Sequence, residues 1–278
     1  MTDQVNDSPL GKDTPYPESY DAALLCPIER AQGRKAVGIK VGDDLPFKGV
    51  DYWNAYEISW LNSKGKPCVG VLELVVPCDS DCIVESKSLK LYFNSLNQNR
   101  FESVAQLVST IESDLEKVIS KPVEVRLHSD VDNETSFAVS TLKGECVDHL
   151  DISVDDYEFD DTALALEPTA TFVSETLISH LLRSNCPVTS QPDWASVLIR
   201  YKGNKIDRES LLKYLISYRT HNEFHEQCVE RIFMDIKRQC GPTELTVYAR
   251  YTRRGGIDIN PFRSDFELPY PNARLLRQ

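Results

Sequence analysis

The sequence lacks any apolar run approaching the ~20 residues needed to span a bilayer, so a membrane-embedded chain is not expected. Its first 20 residues, polar and dotted with proline, contain no apolar core of the kind a signal peptide requires, which makes the cytoplasm the expected location. Cysteine is dilute: eight (26, 68, 78, 82, 146, 186, 228 and 240) in 278 residues cannot make a disulfide scaffold. Cys78 and Cys82 form a single C-x3-C with no second pair and no nearby histidine, whereas zinc asks for three or four ligands. No metal is expected, and most of the thiols read as reduced and structural. Basic charge is also in deficit, with 31 Lys and Arg against 43 Asp and Glu, a net charge of -12. That excludes a large nucleic-acid footprint, although a local basic pocket can still hold an anionic ligand. Neither a Gly-x-Gly-x-x-Gly fingerprint before a helix nor a Gly-x-Ser-x-Gly elbow is present, which removes a Rossmann dinucleotide site and a hydrolase-type serine.

What is present is an ordinary globular composition, 41% hydrophobic and 27% charged, long enough for one large domain or two modest ones. Residues 1–45 carry scattered Pro and Gly with little periodicity and read as an irregular extension. Residues 56–60 and 69–77, joined by Asn62-Ser63-Lys64-Gly65, read as a β-hairpin. Leu89, Phe93 and Leu96 then fall at helical spacing over 88–96. Val104, Leu107, Val108, Ile111, Leu115 and Val118 stripe a longer helix over 101–120, with Asn99 and Glu102 as its cap. A strand over 123–128 follows, and another is expected near 136–142. Seven Asp or Glu residues in 148–161 break the pattern and read as a linker.

The second half repeats this order. Residues 195–201 are β-like, with a Lys202-Gly203-Asn204 turn behind them. Leu211, Leu212, Leu215 and Ile216 mark a helix over 209–217. Phe224, Cys228, Ile232, Phe233 and Ile236 mark another over 223–240, with Asn222 as its candidate cap and Gly241-Pro242 at its end. A strand over 244–251 follows. Ser88, Leu89, Tyr92 and Ser95 stand opposite Ser210, Leu211, Tyr214 and Ser217 at one offset. The economical reading is an α+β chain of two tandem ββααββ modules with antiparallel sheets and helices on one face. It comprises an extension (1–45), a first module (46–147), an acidic linker (148–168) and a second module (169–278). A chance echo between amphipathic helices is the alternative.

Four places could carry chemistry. Cys186 and Asp193 lie seven residues apart on a loop pinned by Pro187 and Pro192, offering a nucleophile and a proton donor if the setting is polar and partly exposed. An inert buried thiol is the bland alternative. Val84-Glu85-Ser86-Lys87-Ser88-Leu89-Lys90 sits at a strand-to-helix junction, where free N–H groups and lysines suit a phosphate. A helix start with Glu85 as its acidic cap explains the same residues. Phe224-His225-Glu226 opens the second long helix and pairs an aromatic with a carboxylate suited to a purine-like edge; a plain helix start is the alternative. Arg253-Arg254-Gly255-Gly256 suits a phosphate approached closely by backbone, or is simply a turn.

Taken together these segments resemble the NADPH-dependent nitrile reductases that convert 7-cyano-7-deazaguanine to 7-aminomethyl-7-deazaguanine on the queuosine route. The signature Glu-Ser-Lys-Ser-x-Lys-Leu-Tyr stands unbroken over residues 85–92. The resemblance covers nearly the whole chain in its two-module form and implies the tunnelling fold and a homodimer, with no direct contact to nucleic acid or membrane. It implies Cys186 as nucleophile forming a covalent thioimide and Asp193 as proton donor. Val84, Glu85, Ser86, Phe224, His225 and Glu226 would contact the substrate, and Ser86, Lys87, Arg254 and Gly255 would hold NADPH. Two other readings stay open: a cyclohydrolase-like relative using bound zinc, which needs a Cys/His set not apparent here, and a non-catalytic purine- or pterin-binding module.

Overall fold

The computed structural model describes residues 16–129 and 138–278. The chain separates into two compact units, one made of Met1–Gln32, Asp51–Ala138 and Arg253–Ile259, the other of Gly33–Val50, Val139–Thr252 and Asn260–Gln278. Both combine a few helices with largely antiparallel sheet, the α+β class expected. Among the described residues no helix is long and apolar enough to cross a membrane.

In the first unit a 3-10 turn (Ala22–Leu24) leads to β1 (Pro27–Glu29) and the short helix α1 (Arg30–Ala36), which belongs to the second unit from Gly33 on, so the segment read as irregular carries regular structure. The cause is not local: buried Arg30 donates to Asp51 at 2.5 Å and to Ser80 at 3.0 Å, anchors that no nearby pattern announces. β2 (Lys48–Asn62) and β3 (Pro67–Pro77) form the expected hairpin, its turn closed by the Asn62 side chain accepting from the Lys64 and Lys66 N–H groups. β4 (Cys82–Val84) pairs with β1 and leads into α2 (Ser86–Ser95). β5 (Arg100–Phe101), α3 (Val104–Ile119) and β6 (Glu124–His128) follow, β6 lying antiparallel to β3.

The start of α3 departs from the periodicity. Phe101 is drawn into β5, which pairs with the end of β2, and Ser103 becomes the cap by accepting from Gln106 N–H at 3.2 Å. Asn99 instead donates to the Ser95 carbonyl at 2.6 Å. Trp60, Leu72, Phe93, Leu107, Ile111 and Leu115 meet in the apolar core, where the stripes of both helices face the β2–β3 sheet.

In the second unit β7 (Val139–Ser140) occupies part of the strand expected near 136–142; residues 136 and 137 of that expectation lie outside the described residues. β8 (Glu145–Cys146), β9 (Phe172–Ser179), β10 (Arg183–Asn185) and β11 (Pro192–Asn204) precede α4 (Arg208–Ser217) and α5 (His225–Cys240). β12 (Glu244–Tyr251), β13 (Ile257–Ser264) and β14 (Arg274–Leu275) complete the chain, with β13 belonging to this unit from Asn260 on. The sheet runs β13-β12-β11-β9-β8. Lys202-Gly203-Asn204 is not a turn: these residues continue β11 opposite Ser174, Val173 and Phe172 of β9. A strand partner overrides the local turn preference there. Phe224, not Asn222, is the cap of α5, because Asn222 is engaged with Ser190, its Nδ2 donating to Ser190 Oγ at 3.3 Å. Gly241 ends α5 at φ 57°, the left-handed stop that Gly-Pro announces.

Candidate active site

Cys186 follows β10 directly, and its loop closes on itself. The Cys186 N–H donates to the Gln191 carbonyl at 2.9 Å and the Cys186 carbonyl accepts from Ser190 N–H at 3.0 Å, with Ser190 in the left-handed region at φ 54°. The β10–β11 register sets Ser184 opposite Asp193. β10 ends at Asn185, so Cys186 stands one residue past the strand and two residues after the Ser184 that faces Asp193. Residues seven apart in sequence are brought to one end of the β10–β11 hairpin. Cys186 is 3% exposed, so the partly exposed setting expected from the loop is not what the structure has.

One strand residue ties this hairpin to α5. The Asn185 N–H donates to His221 O at 2.8 Å, its carbonyl accepts from Glu223 N–H at 3.1 Å, and its side chain reaches Asn222. The first turn of α5 is thereby fixed beside the cysteine strand. His225 stacks face to face on Tyr251, with centroids 3.7 Å apart and planes 2° from parallel, and its Nε2 lies 3.3 Å from Asp193 Oδ2. Asp193, His225 and Glu226 are all buried, and Phe224 is half-buried at the helix cap. Of the residues proposed from sequence, then, Asp193 and His225 meet, and Glu226 is buried next to His225 in the chain.

Around them the electrostatics are uneven. Burial alone would raise Glu223, but contacts with His221 and a bidentate hold by Arg231 outweigh it and leave the carboxyl below its ordinary value. Cys228, fully buried near Ser184 and Tyr251, is pushed up by desolvation and is no candidate nucleophile. Asn185, Glu223, Arg231 and Tyr251 were not singled out from the sequence. Only Asn185, the neighbour of Cys186, had a local signal to find it by.

The first unit arranges the other set. Val84 is buried at the end of β4, and the wholly buried Glu85 caps α2, its carboxylate accepting from Lys87 N–H at 2.6 Å and Ser88 N–H at 2.8 Å. Burial pushes Glu85 up, against the hydrogen bonds that favour its charge. The cap reading of Glu85 is thus realised, and two helix N–H groups that could have met an anion are already taken. Ser86 lies in the first turn beside Lys87.

Further along α2, Lys90 lines a small pocket with Glu57, Asn94, Gly255 and Gly256. Arg254 and Ile257 bracket the Gly-Gly turn, Arg254 N–H donating to Ile257 O at 2.8 Å. Gly255 stands at φ 59°, and a Cβ there would meet Lys90 Nζ at 2.8 Å. The left-handed backbone is what favours glycine there, since the contact with Lys90 is to the movable end of its side chain. Arg253 lies over the Tyr56 ring at 4.6 Å, which spreads cationic groups around the turn.

Residues 16–127 match the family profile described as "Nitrile reductase, 7-cyano-7-deazaguanine-reductase N-term", and residues 192–269 match "QueF-like protein". A protein of Cupriavidus metallidurans named NADPH-dependent 7-cyano-7-deazaguanine reductase is 55% identical over 98% of both chains. The chain belongs to the 7-cyano-7-deazaguanine reductase family. A family member from Desulfotalea psychrophila with the same name is 49% identical over the full length of both chains. In the terms of the family profiles, the Glu85 signature falls in the first matched segment and Asp193, His225, Glu226 and Arg254 in the second, with Cys186 between them. An archaeosine synthase structure in the apo form aligns with 37% of this chain and all of its own, at 19% identity and a TM-score of 0.31, a likeness too slight to bear on the fold.

Proposed function

We propose that this chain is an oxidoreductase that reduces the nitrile of 7-cyano-7-deazaguanine to the aminomethyl group with NADPH, through a thioimide on Cys186. The observation that supports this most is the β10–β11 register, which sets Asp193 opposite Ser184, two residues before Cys186, with His225 held against the carboxylate.

A nitrile is a poor hydride acceptor, so covalent addition comes first. The Cys186 sulfur bonds to the nitrile carbon, one C–N π bond opens, and the nitrogen takes a proton, giving an imine-like carbon. Asp193 supplies protons at that nitrogen. Each reduction adds one hydride at carbon and one proton at nitrogen; between the two, the C–S bond breaks and Cys186 is restored as the leaving group. His225, clamped by its stack on Tyr251, keeps Nε2 at the Asp193 carboxylate. Glu226 suits the N–H edge of the deazapurine, and Phe224 its ring face. Val84, Glu85 and Ser86 are assigned to the same substrate.

NADPH, when bound, supplies hydride equivalents one molecule at a time. Ser86, Lys87, Arg254 and Gly255 are the residues assigned to hold it. The donor set fits: cationic side chains beside a turn that carries no side chain at Gly255 and Gly256 suit a phosphate that must come close to backbone. The same reading takes the two units as tandem ββααββ modules of the tunnelling fold in a homodimeric, cytoplasmic enzyme of queuosine biosynthesis that does not itself touch nucleic acid.

Intact-mass measurement of the protein mixed with 7-cyano-7-deazaguanine, without NADPH, tests the covalent step. The expected result is a mass increase of one substrate that disappears in Cys186→Ala. No increase, or an increase that survives this substitution, overturns the mechanism.

A further inference from the structure

Away from the Cys186 loop, the second unit brings together three side chains with metal-ligand chemistry from two distant stretches. β8 ends at Cys146, which pairs in parallel with Ile178 of β9; the 3-10 turn Val147–His149 carries Asp148, and His180 follows the last residue of β9. The Cys146 thiol, an Asp148 carboxylate oxygen and a His180 ring nitrogen lie within 4.8 Å of one another, each residue half-buried. Gly144 allows this approach, because a Cβ there would meet the Thr176 carbonyl of β9 at 2.8 Å.

Two of the three groups are held from behind. Asp148 accepts from Ser179 Oγ at 2.6 Å and from His180 N–H at 2.7 Å, which fixes the carboxylate plane. Pairing of Ser179 with Val197 brings Ser196 opposite His180, and Ser196 Oγ lies 2.8 Å from His180 Nδ1. With Nδ1 engaged by Ser196, Nε2 is the ring nitrogen left to serve as a ligand. Tying one imidazole nitrogen and bracing the carboxylate is how metal sites orient their ligands.

We propose that Cys146, Asp148 and His180 form a site for a borderline divalent transition metal such as zinc, with a remaining position for water. A thiolate, an imidazole and a carboxylate suit zinc or cobalt(II), and disfavour magnesium and calcium, which take oxygen ligands. Ligand atoms around a tetrahedral zinc, at bond lengths of about 2.0–2.3 Å, stand about 3.3–3.8 Å apart, so the present spacing closes with a shift of about 1 Å. Binding displaces the thiol proton. The ion ties β8 and the start of the acidic stretch to the end of β9, just before the β10 hairpin that carries Cys186. Zinc found in the purified protein is therefore not in itself a sign of zinc-dependent hydrolysis.

Cobalt(II) titrated into the reduced, metal-free, full-length protein tests the site. A thiolate-to-cobalt charge-transfer band saturating at about one equivalent per chain is expected, with zinc displacing the cobalt and raising the thermal midpoint. Cys146→Ser loses the band, and Cys186→Ala keeps it. His180→Gln, whose amide can keep the contact to Ser196, weakens cobalt binding at least about tenfold. The site is overturned by a wild-type protein without the band, by a band that survives Cys146→Ser or vanishes in Cys186→Ala, or by unchanged cobalt affinity in His180→Gln.

Discussion

In the first unit Tyr92 of α2 donates to Asp114 of α3 at 2.9 Å, and in the second Tyr214 of α4 donates to Asp235 of α5 at 2.7 Å. The parallel continues through the serines. Ser95 Oγ donates to Tyr92 O and accepts from Asp21 N–H at 3.2 Å, while Ser217 Oγ donates to Tyr214 O and accepts from Asp160 N–H at 3.2 Å. Ser88 and Ser210 accept from the N–H groups of Cys26 and Ala165 at 3.0 and 3.1 Å. Even the ring against the tyrosine is matched, Tyr20 in one unit and Phe159 in the other.

The units differ where the helices begin. α3 starts on exposed Ser103, a plain cap, whereas α5 starts on Phe224 with His225 and Glu226 buried in its first turn. Conversely, α2 is capped by a wholly buried Glu85, where α4 has Asp207 capping Ser210 at 2.8 Å. One polar frame thus holds the helix pair in both units. The helix starts, where the proposed residues Glu85, Ser86, His225 and Glu226 stand, differ between the units while that frame does not.

The largest effects should break this symmetry outright. Cys186→Ala should abolish turnover while both units stay folded, measured as NADPH consumption beside an unchanged unfolding curve. Asp193→Asn should lower kcat by about 10²–10⁴ with substrate affinity largely kept, read by single-turnover kinetics and calorimetric binding; equal loss of both would make Asp193 structural.

Smaller effects sharpen the comparison. Tyr92→Phe and Tyr214→Phe should each destabilise by about 1–3 kcal/mol, since each removes a buried hydrogen bond to a carboxylate that keeps other partners, Tyr20 and Lys117 for Asp114 and Arg238 for Asp235; urea unfolding that finds only one of them costly would show the frames are not equivalent. The smallest effect separates Glu85 from Glu223 by the sign of its pH dependence. Glu223 sits below its ordinary value of 4.5, so its contribution is present above that value and lost as pH falls through its folded value. Glu85 sits above 4.5, so its contribution is present below that value and lost as pH rises through its folded value. Urea midpoints of Glu223→Gln and Glu85→Gln across acidic pH, each against wild type, should therefore move in opposite directions.

Much of this was legible along the chain. The apolar stripes of 101–120 and 223–240 located both long helices, Gly241-Pro242 located an end, and the Ser-Leu-Tyr-Ser echo anticipated the matched hydrogen bonds. The errors share a cause. Asn99, Asn222 and Lys202-Gly203-Asn204 have the local chemistry of caps and turns, but a distant hydroxyl claimed Asn222, a strand partner claimed Lys202-Gly203-Asn204, and the Asn99 side chain turned back to the Ser95 carbonyl. The helix α1 was missed because what holds Arg30 lies 21 and 50 residues away.

The sequence by itself determined the class, the helix stripes, the family resemblance and which residue types could do the chemistry, because periodicity and motif are short-range properties. Only the tertiary structure decided that Cys186 is closed over, that Asp193 and His225 meet, and that Cys146, Asp148 and His180 gather at one sheet edge. Those outcomes depend on strand register and burial. A register joins residues far apart in sequence, and burial sums the packing of the whole unit, so neither is encoded in any one stretch.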